Sequence, residues 1–380
     1  MNIYKSGQYQ INNSGKKTEY KSFLPKKIDK PLTINDQKIL ILLENATRYL
    51  GEINAYAKLI PDVDYFIQMH VKSEAISSSR IEGTNTNIDE IILPKEEIDP
   101  EKRNDWQEVK NYIDAINQSI LFLKKLPVSV RLLKKTHKIL LSGVRGKYKL
   151  PGEIRKSQNW IGGTSINSAH FIPPNHDILP ELLSDWENFW HNDSLQIPVL
   201  IKIAIMHYQF ETIHPFLDGN GRIGRLFITL QLIERGFLEK PILYIFKFFE
   251  EFRHSYYELL DRVRYQNDLE AWIKYFLEAV MTTSKRGKLK FENIIKLKQN
   301  YENKIDDLGR KVPKAKQLLL HLFSQPIVSV NNVSKMLDLQ FKASNNLVND
   351  FVKLKVLKEK TGYSRNRLFE MNEYILLFKK

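Results

Sequence analysis

The 380 residues carry 58 Lys and Arg against 44 Asp and Glu, a formal charge of +14, and no cysteine. Neither a disulfide framework nor a thiolate metal site is therefore open to the chain, in keeping with a reducing cytoplasm. No apolar run is long enough to span a membrane, the polar start Met1–Lys27 lacks the apolar core of a signal peptide, and the basic excess favours anionic partners: nucleotides, acidic proteins or nucleic acid.

Residues 1–33 read as a polar, lysine-rich segment that is extended or partly ordered. The spacing of Ile39, Leu42, Leu43, Ala46, Leu50 and Ile53 predicts a helix within 34–60, capped by Asn35 or Asp36. A second helix follows Pro61, from Val63 to Arg80, and closes on Ser78-Ser79-Arg80-Ile81-Glu82-Gly83, which by itself describes an ordinary helix end. Pro100–Leu126, with Asp99 as cap, and Val128–Leu141 predict two more helices. Gly143, Gly146, Pro151, Gly152, Gly162 and Gly163 then break the helical period, and 158–163 followed by 168–174 predicts a β-hairpin. Leu179–Trp190 and Val199–Ile213 are again helical, the latter apolar enough to be buried.

The chain is organised around His214-Pro215-Phe216-Leu217-Asp218-Gly219-Asn220-Gly221-Arg222-Ile223-Gly224-Arg225. The imidazole and the carboxylate stand four residues apart, ahead of a Gly-Asn-Gly turn that opens a helix from Arg222 to Leu232. Free N–H groups at a helix N-terminus, with two guanidinium groups one turn apart on the same face, make an anion nest suited to phosphate. A lone His before Pro is most often a loop residue and a lone Gly-Asn-Gly a turn; packing alone rarely assembles all these elements in this order.

The stretch resembles the signature of the Fic family, H-P-F-x-[D/E]-G-N-G-R-x-x-R, and matches it at every defined position. The resemblance covers most of 34–284. It implies a mainly α fold, a Fic helical bundle with a β-hairpin flap, that transfers AMP from ATP to a Ser, Thr or Tyr hydroxyl of a target protein or of itself. On that resemblance His214 is the general base and Asp218 the ligand of Mg²⁺ (or Mn²⁺). Gly219, Asn220, Gly221, Arg222, Ile223, Gly224 and Arg225 seat the polyphosphate, Arg225 at its γ end. Ser168, Ala169, His170 and Phe171 of the flap lie near the nucleotide, as do Tyr256 and Tyr257 on the helix Phe252–Arg264. Arg264 stands where some relatives place an Asn toward the adenine. Ser78, Glu82 and Gly83 match the family's inhibitory motif, [S/T]-x-x-x-E-[G/N], whose Glu pairs with the second Arg. His207 and Glu211 read as core or supporting groups.

Beyond a helix at Leu269–Met281, the charged stretch from Ser284 to Arg310 reads as a linker helix. Residues 313–380 read helix, short strand, helix, helix and two strands around Gly362, which resembles a small winged-helix-like α+β domain with Lys342, Asn345, Asn346 and Asn349 facing outward. The expected divisions are 1–33, 34–125 with the inhibitory motif, 126–284 as the catalytic core, 285–312 as linker and 313–380. The partners are ATP and protein hydroxyls, with DNA at 313–380 and a homodimer left open. Two alternatives stand beside AMP transfer: a DNA-binding regulator whose Fic domain is silent, and an enzyme that removes AMP with Glu82 aiding a water.

Overall fold

The computed structural model describes residues 4–59, 63–143, 148–362 and 366–379; Pro61 and Gly146, singled out in the sequence, lie outside them. The chain opens on an antiparallel hairpin, β1 (Gly7–Asn12) and β2 (Tyr20–Pro25), where the sequence suggested only an extended segment. Phe23, buried, anchors β2, and its N–H donates to Ile172 O at 2.9 Å, so the hairpin borders the segment expected to form the flap.

Helices follow: α1 (Gln37–Leu59), α2 (Val63–Ile81), the single turn α3 (Ile88–Ile91), α4 (Arg103–Leu123), α5 (Val130–Leu140), α6 (Leu179–His191), α7 (Val199–Ile213), α8 (Asn220–Glu234), α9 (Ile245–Glu251) and α10 (Arg253–Gln266). Their starts obey local chemistry. Asp36 accepts from Lys38 N at 2.8 Å ahead of α1, Ser129 accepts from Leu132 N at 3.3 Å ahead of α5, and Asp99 accepts from Glu101 N at 3.0 Å in the turn before α4.

Three further elements depart from expectation. The hairpin across 158–174 is a loop with one β-bridge, Ile161–Phe171, because Gly162 and Gly163 both take positive φ and the turn Ile166–Ser168 folds back. The helix at 269–281 and the linker at 285–312 are largely one helix, α11 (Leu269–Ile305), lying along α1. No connector hangs free there: Gly287 allows close approach of Ile53, and Lys288 pairs with Glu52 at 3.0 Å. A last helix, α15 (Asn372–Lys379), follows the final strand and buries Tyr374, Ile375 and Phe378.

The C-terminal elements run α12 (Val312–Ser324), β3 (Ile327–Ser329), α13 (Val330–Leu337), α14 (Phe341–Lys353), β4 (Lys358–Glu359) and β5 (Leu368–Glu370), with strand order β3-β5-β4, all antiparallel. On α14, Lys342 and Asn346 are exposed and Asn345 accepts from Arg367 at 3.4 Å. This module shares one apolar core with the rest of the chain. It packs on α2: Phe66 meets Phe323 at 4.6 Å between ring centres, and the ammonium of buried Lys72 donates to Ser324 O at 2.9 Å and Gln325 Oε1 at 3.0 Å. The helix that leads into Glu82 is thus a central wall of the molecule, packed by α4, α8, α9 and α12. No helix among the described residues is long and apolar enough to cross a membrane.

Candidate active site

Helix α7 ends on His214, whose φ of 48° turns the chain sharply before Pro215. A left-handed residue that is not Gly carries strain, which persists only where the surroundings fix it. Here they do. Arg155, buried, donates through Nε to His214 O at 3.0 Å, through Nη1 to Ser157 O at 3.0 Å and through Nη2 to Pro174 O at 2.6 Å. Asn159 donates to Phe216 O at 2.9 Å. Asn220 closes the loop on itself, accepting from Phe216 N and donating to Phe216 O, both at 2.8 Å. The Asn of the Gly-Asn-Gly turn is therefore spent on building the loop.

His137 of α5 completes the frame. Its Nδ1 accepts from Gly152 N at 2.8 Å, which leaves Nε2 protonated to donate to Asp218 O at 3.0 Å, and its ring stacks on Phe216 at 3.7 Å. Burial pushes its pKa down to about 4, so this neutral tautomer holds at physiological pH. Neither Arg155 nor His137 was singled out in the sequence. Arg155 lies in the Gly/Pro-rich stretch without periodicity, and His137 is one more residue of an amphipathic helix.

Within this frame His214 has a buried Nδ1 with no hydrogen-bond partner. Burial, then the charge of Arg155, lowers its pKa to about 4, and the imidazole is neutral and able to take a proton. Asp218 stands at the mouth, its side chain 43% exposed, with Oδ1 accepting from Gly219 N at 2.6 Å and lying 3.6 Å from Arg222. Arg222 also pairs with Glu108 of α4 at 3.0 Å. A cavity of 280 Å³ opens here, lined by Glu82, Glu108, Asp218, Gly219 and Arg222 among others.

The second guanidinium, Arg225, is fully buried. It donates through Nε to Ser78 Oγ at 3.0 Å and through Nη2 to Ser78 O at 2.8 Å and Glu82 Oε1 at 2.6 Å. Burial works against the carboxylate of Glu82, and Arg225 more than offsets it, so the pKa of Glu82 falls below its usual value. A Cβ on Gly221 would overlap Glu82 Oε1: the carboxylate lies against the first turn of α8, in the anion nest itself. Gly224 has a different duty, since a Cβ there would overlap Glu211 Oε1 and press on Phe210 of α7. Glu211 is buried, and burial raises its pKa to about 7.

The other expected residues are divided. Tyr257 is 38% exposed and stands edge-on to Tyr256, and both hydroxyls feel the charges of Glu82 and Arg225. Tyr256 itself is buried, its hydroxyl bonded to His207 Nε2 at 2.8 Å, and Phe171 is buried under Arg264 at 4.0 Å. Both are core side chains. Ser168 ties the flap loop together by accepting from Thr164 N and Ser165 N, both at 3.1 Å, next to the half-buried Ala169. His170 meets Asp261 of α10 at 2.7 Å. Arg264 does not reach outward: it donates to Thr212 Oγ1 at 3.2 Å and Asp261 Oδ1 at 2.9 Å.

Known families match this framework. The Fic/DOC family N-terminal model matches residues 40–121 and the Fic/DOC family model matches 127–232; the chain belongs to the Fic/DOC family. A probable protein adenylyltransferase of Aquifex aeolicus is 30% identical over 176 residues, 46% of this chain and 52% of that protein. The protein adenylyltransferase Fic of Aedes aegypti is 31% identical over 133 residues, 35% of this chain and 24% of the relative. The matched region thus spans about half of the first relative's length and a quarter of the second's. Among solved structures, a Fic family protein from Desulfovibrio desulfuricans aligns with a TM-score of 0.56 at 19% identity, covering 90% of this chain and 98% of its own. A Fic domain containing signaling protein from Bacteroides thetaiotaomicron aligns at 0.52 and 15% identity, covering 66% and 95%. These two likenesses concern the fold.

Proposed function

We propose that the chain transfers AMP from ATP to a Ser, Thr or Tyr hydroxyl of a protein, its own chain included, and that Glu82 holds it at rest. The observation that carries the reading is the carboxylate of Glu82 on Arg225 and Gly221, because it marks the start of α8 as a seat already filled by an anion. The names of the relatives, protein adenylyltransferases, support the same chemistry.

In this reading the polyphosphate lies over Gly219–Arg225, neutralised by backbone N–H groups, Arg222 and Arg225. The target hydroxyl gives its proton to His214 as its oxygen attacks the α-phosphorus. The bond to the β-phosphate oxygen breaks, and pyrophosphate leaves. No cluster of three His, Cys, Asp or Glu suited to a metal occurs among the described residues, but a divalent cation on phosphates needs only one carboxylate and keeps its waters. Asp218, exposed beside the nest, fits that donor set and would hold Mg²⁺, which would supply charge neutralisation on the polyphosphate.

Labelled ATP tests the reading. Label at the α-phosphate is expected to become protein-bound in the Glu82→Gly variant, and label at the γ-phosphate is not. Retention of γ-label alone would replace AMP transfer with phosphate transfer.

A further inference from the structure

A second cavity, of 610 Å³, lies behind α2 and shares no lining residue with the one at the catalytic loop. Ser73, Ile76, Ser77 and Arg80 form its α2 wall, at helical spacing on a face other than that of Ser78 and Glu82. Its volume falls in the usual range for small-molecule sites, roughly 300–1,000 Å³. The remaining walls come from 87–89, Tyr244 with Lys247 and Glu251 of α9, 283–293 of α11 and the end of α15.

The charges lining it are unbalanced. Arg80, Lys247, Arg286, Lys290 and Lys379 face two acids, Asp89 and Glu251. Four of these cations have a carboxylate within ion-pair distance: Arg80 and Lys247 share Glu250 at 3.3 and 4.0 Å, Arg286 meets Glu251 at 2.7 Å and Lys379 meets Asp89 at 2.7 Å. Lys290 has no carboxylate within ion-pair distance among the described residues. Its ammonium rests 4.5 Å over the ring of Tyr244 and 4.8 Å over that of Phe378. Burial, relieved somewhat by Glu74 and deepened by Lys247, lowers its pKa to about 8. Lys290 and Lys247 both line this cavity, Lys247 holding Glu250 only at 4.0 Å, and a doubly charged anion between two ammonium groups would satisfy both. Beside them Ile76, Leu289 and Phe378 offer an apolar wall, with Leu289 60% exposed.

We propose that this cavity binds an organic phosphate monoester, its phosphate on Lys290 and Lys247 and its apolar body against Ile76, Leu289 and Phe378. Such a ligand braces α2 from behind and holds Glu82 in the anion nest; this consequence rests on the inhibitory reading, and the site itself does not. A compound in the cavity adds contacts to Ser73, Ser77 and Arg80 in the bound state. Withdrawal of α2 then has to break them.

The test uses the full-length protein and 1-naphthyl phosphate, whose fluorescence reports binding. Saturable one-to-one binding is expected, with hydrogen exchange slowed at amides 73–80 and 286–290. Lys290→Met is expected to weaken it at least about tenfold through loss of a charge-assisted contact. Leu289→Asp, at a largely exposed position where misfolding is not a concern, is expected to weaken it as well. Absence of binding, an affinity in either variant equal to the parent's, or slowed exchange at 214–225 in place of 73–80 would overturn the proposal. Because no turnover is measured, such a failure leaves the AMP-transfer reading standing.

Discussion

In the loop from His214 to Arg225, the polar groups that shape the backbone are paired: Phe216 with Asn220, Asp218 O with His137, His214 O with Arg155. What remains without a hydrogen-bond partner are groups proposed to do the chemistry, His214 Nδ1, Arg222 Nε and Arg225 Nη1. Helix α2 is the reverse. It buries His70 with both ring nitrogens unpartnered, Ser79 Oγ and Glu74 Oε1, while Ser78 and the adjoining Glu82 are bonded to Arg225. A buried polar group without a partner costs free energy, about 1–3 kcal/mol each, so both elements carry such a penalty: the loop on the groups proposed to do the chemistry, and α2 on His70, Glu74 and Ser79. The difference lies in what is left over: in the loop the groups proposed to meet a ligand, in α2 groups enclosed by the core.

Breaking the loop's chemistry has the largest expected effect. His214→Ala should lower AMP transfer by roughly 10²–10⁴-fold with a nearly unchanged melting temperature, since His214 Nδ1 has no hydrogen-bond partner to strand. Initial rates with α-labelled ATP, alongside calorimetry, check both halves. Breaking its frame is next: Arg155→Met strands the carbonyls of His214, Ser157 and Pro174 and should cost roughly 3 kcal/mol or more, read in denaturant unfolding. Gly224→Ala drives a methyl into Glu211 and Phe210 and should cost about 1–3 kcal/mol, visible in the same assay.

The smallest effect sharpens the α2 side. Burial lowers the pKa of Lys72 to about 7, far below its value in an unfolded chain. Between that value and about 10.4 the unfolded state binds more protons, so stability rises with pH there and the penalty is full below pH 7. Between pH 7 and 8.5 the gain should be up to about 2 kcal/mol, and Lys72→Met should lack it. Unfolding free energies of parent and variant at the two pH values decide; parallel slopes would mean that the ammonium is not strained where it meets α12. Removal of 313–380 belongs with this test. The sequence suggested a separable module, but truncation uncovers Phe66 and Lys72, and loss of soluble protein is the expected outcome.

How far the sequence could be read follows the same division. The helices were legible from apolar spacing, and the loop from a string of residue types that few other duties require together. Arg155 and His137 were not, because a supporting group is recognised by the carbonyl it meets and nothing in its sequence neighbours records that carbonyl. The flap loop misled because alternating residues between glycines read the same whether a strand pairs over six positions or bridges at one. The docking of 313–380 on α2 escaped because Lys72 and Phe66 continue a helical pattern that any neighbour could satisfy.

Displacing Glu82 tests the central claim, that a carboxylate from α2 occupies the anion seat of the loop. Self-transfer of AMP should be measured at saturating ATP with Mg²⁺ for the parent, Glu82→Gly and Glu82→Gly with Arg225→Ala. Loss of a charge-assisted contact of about 1.5–3 kcal/mol corresponds to a gain of roughly 10–150-fold for Glu82→Gly. The second substitution should remove that gain, because the guanidinium released by the first is then absent. Equal rates in the parent and Glu82→Gly would contradict the account, and so would a gain that survives Arg225→Ala.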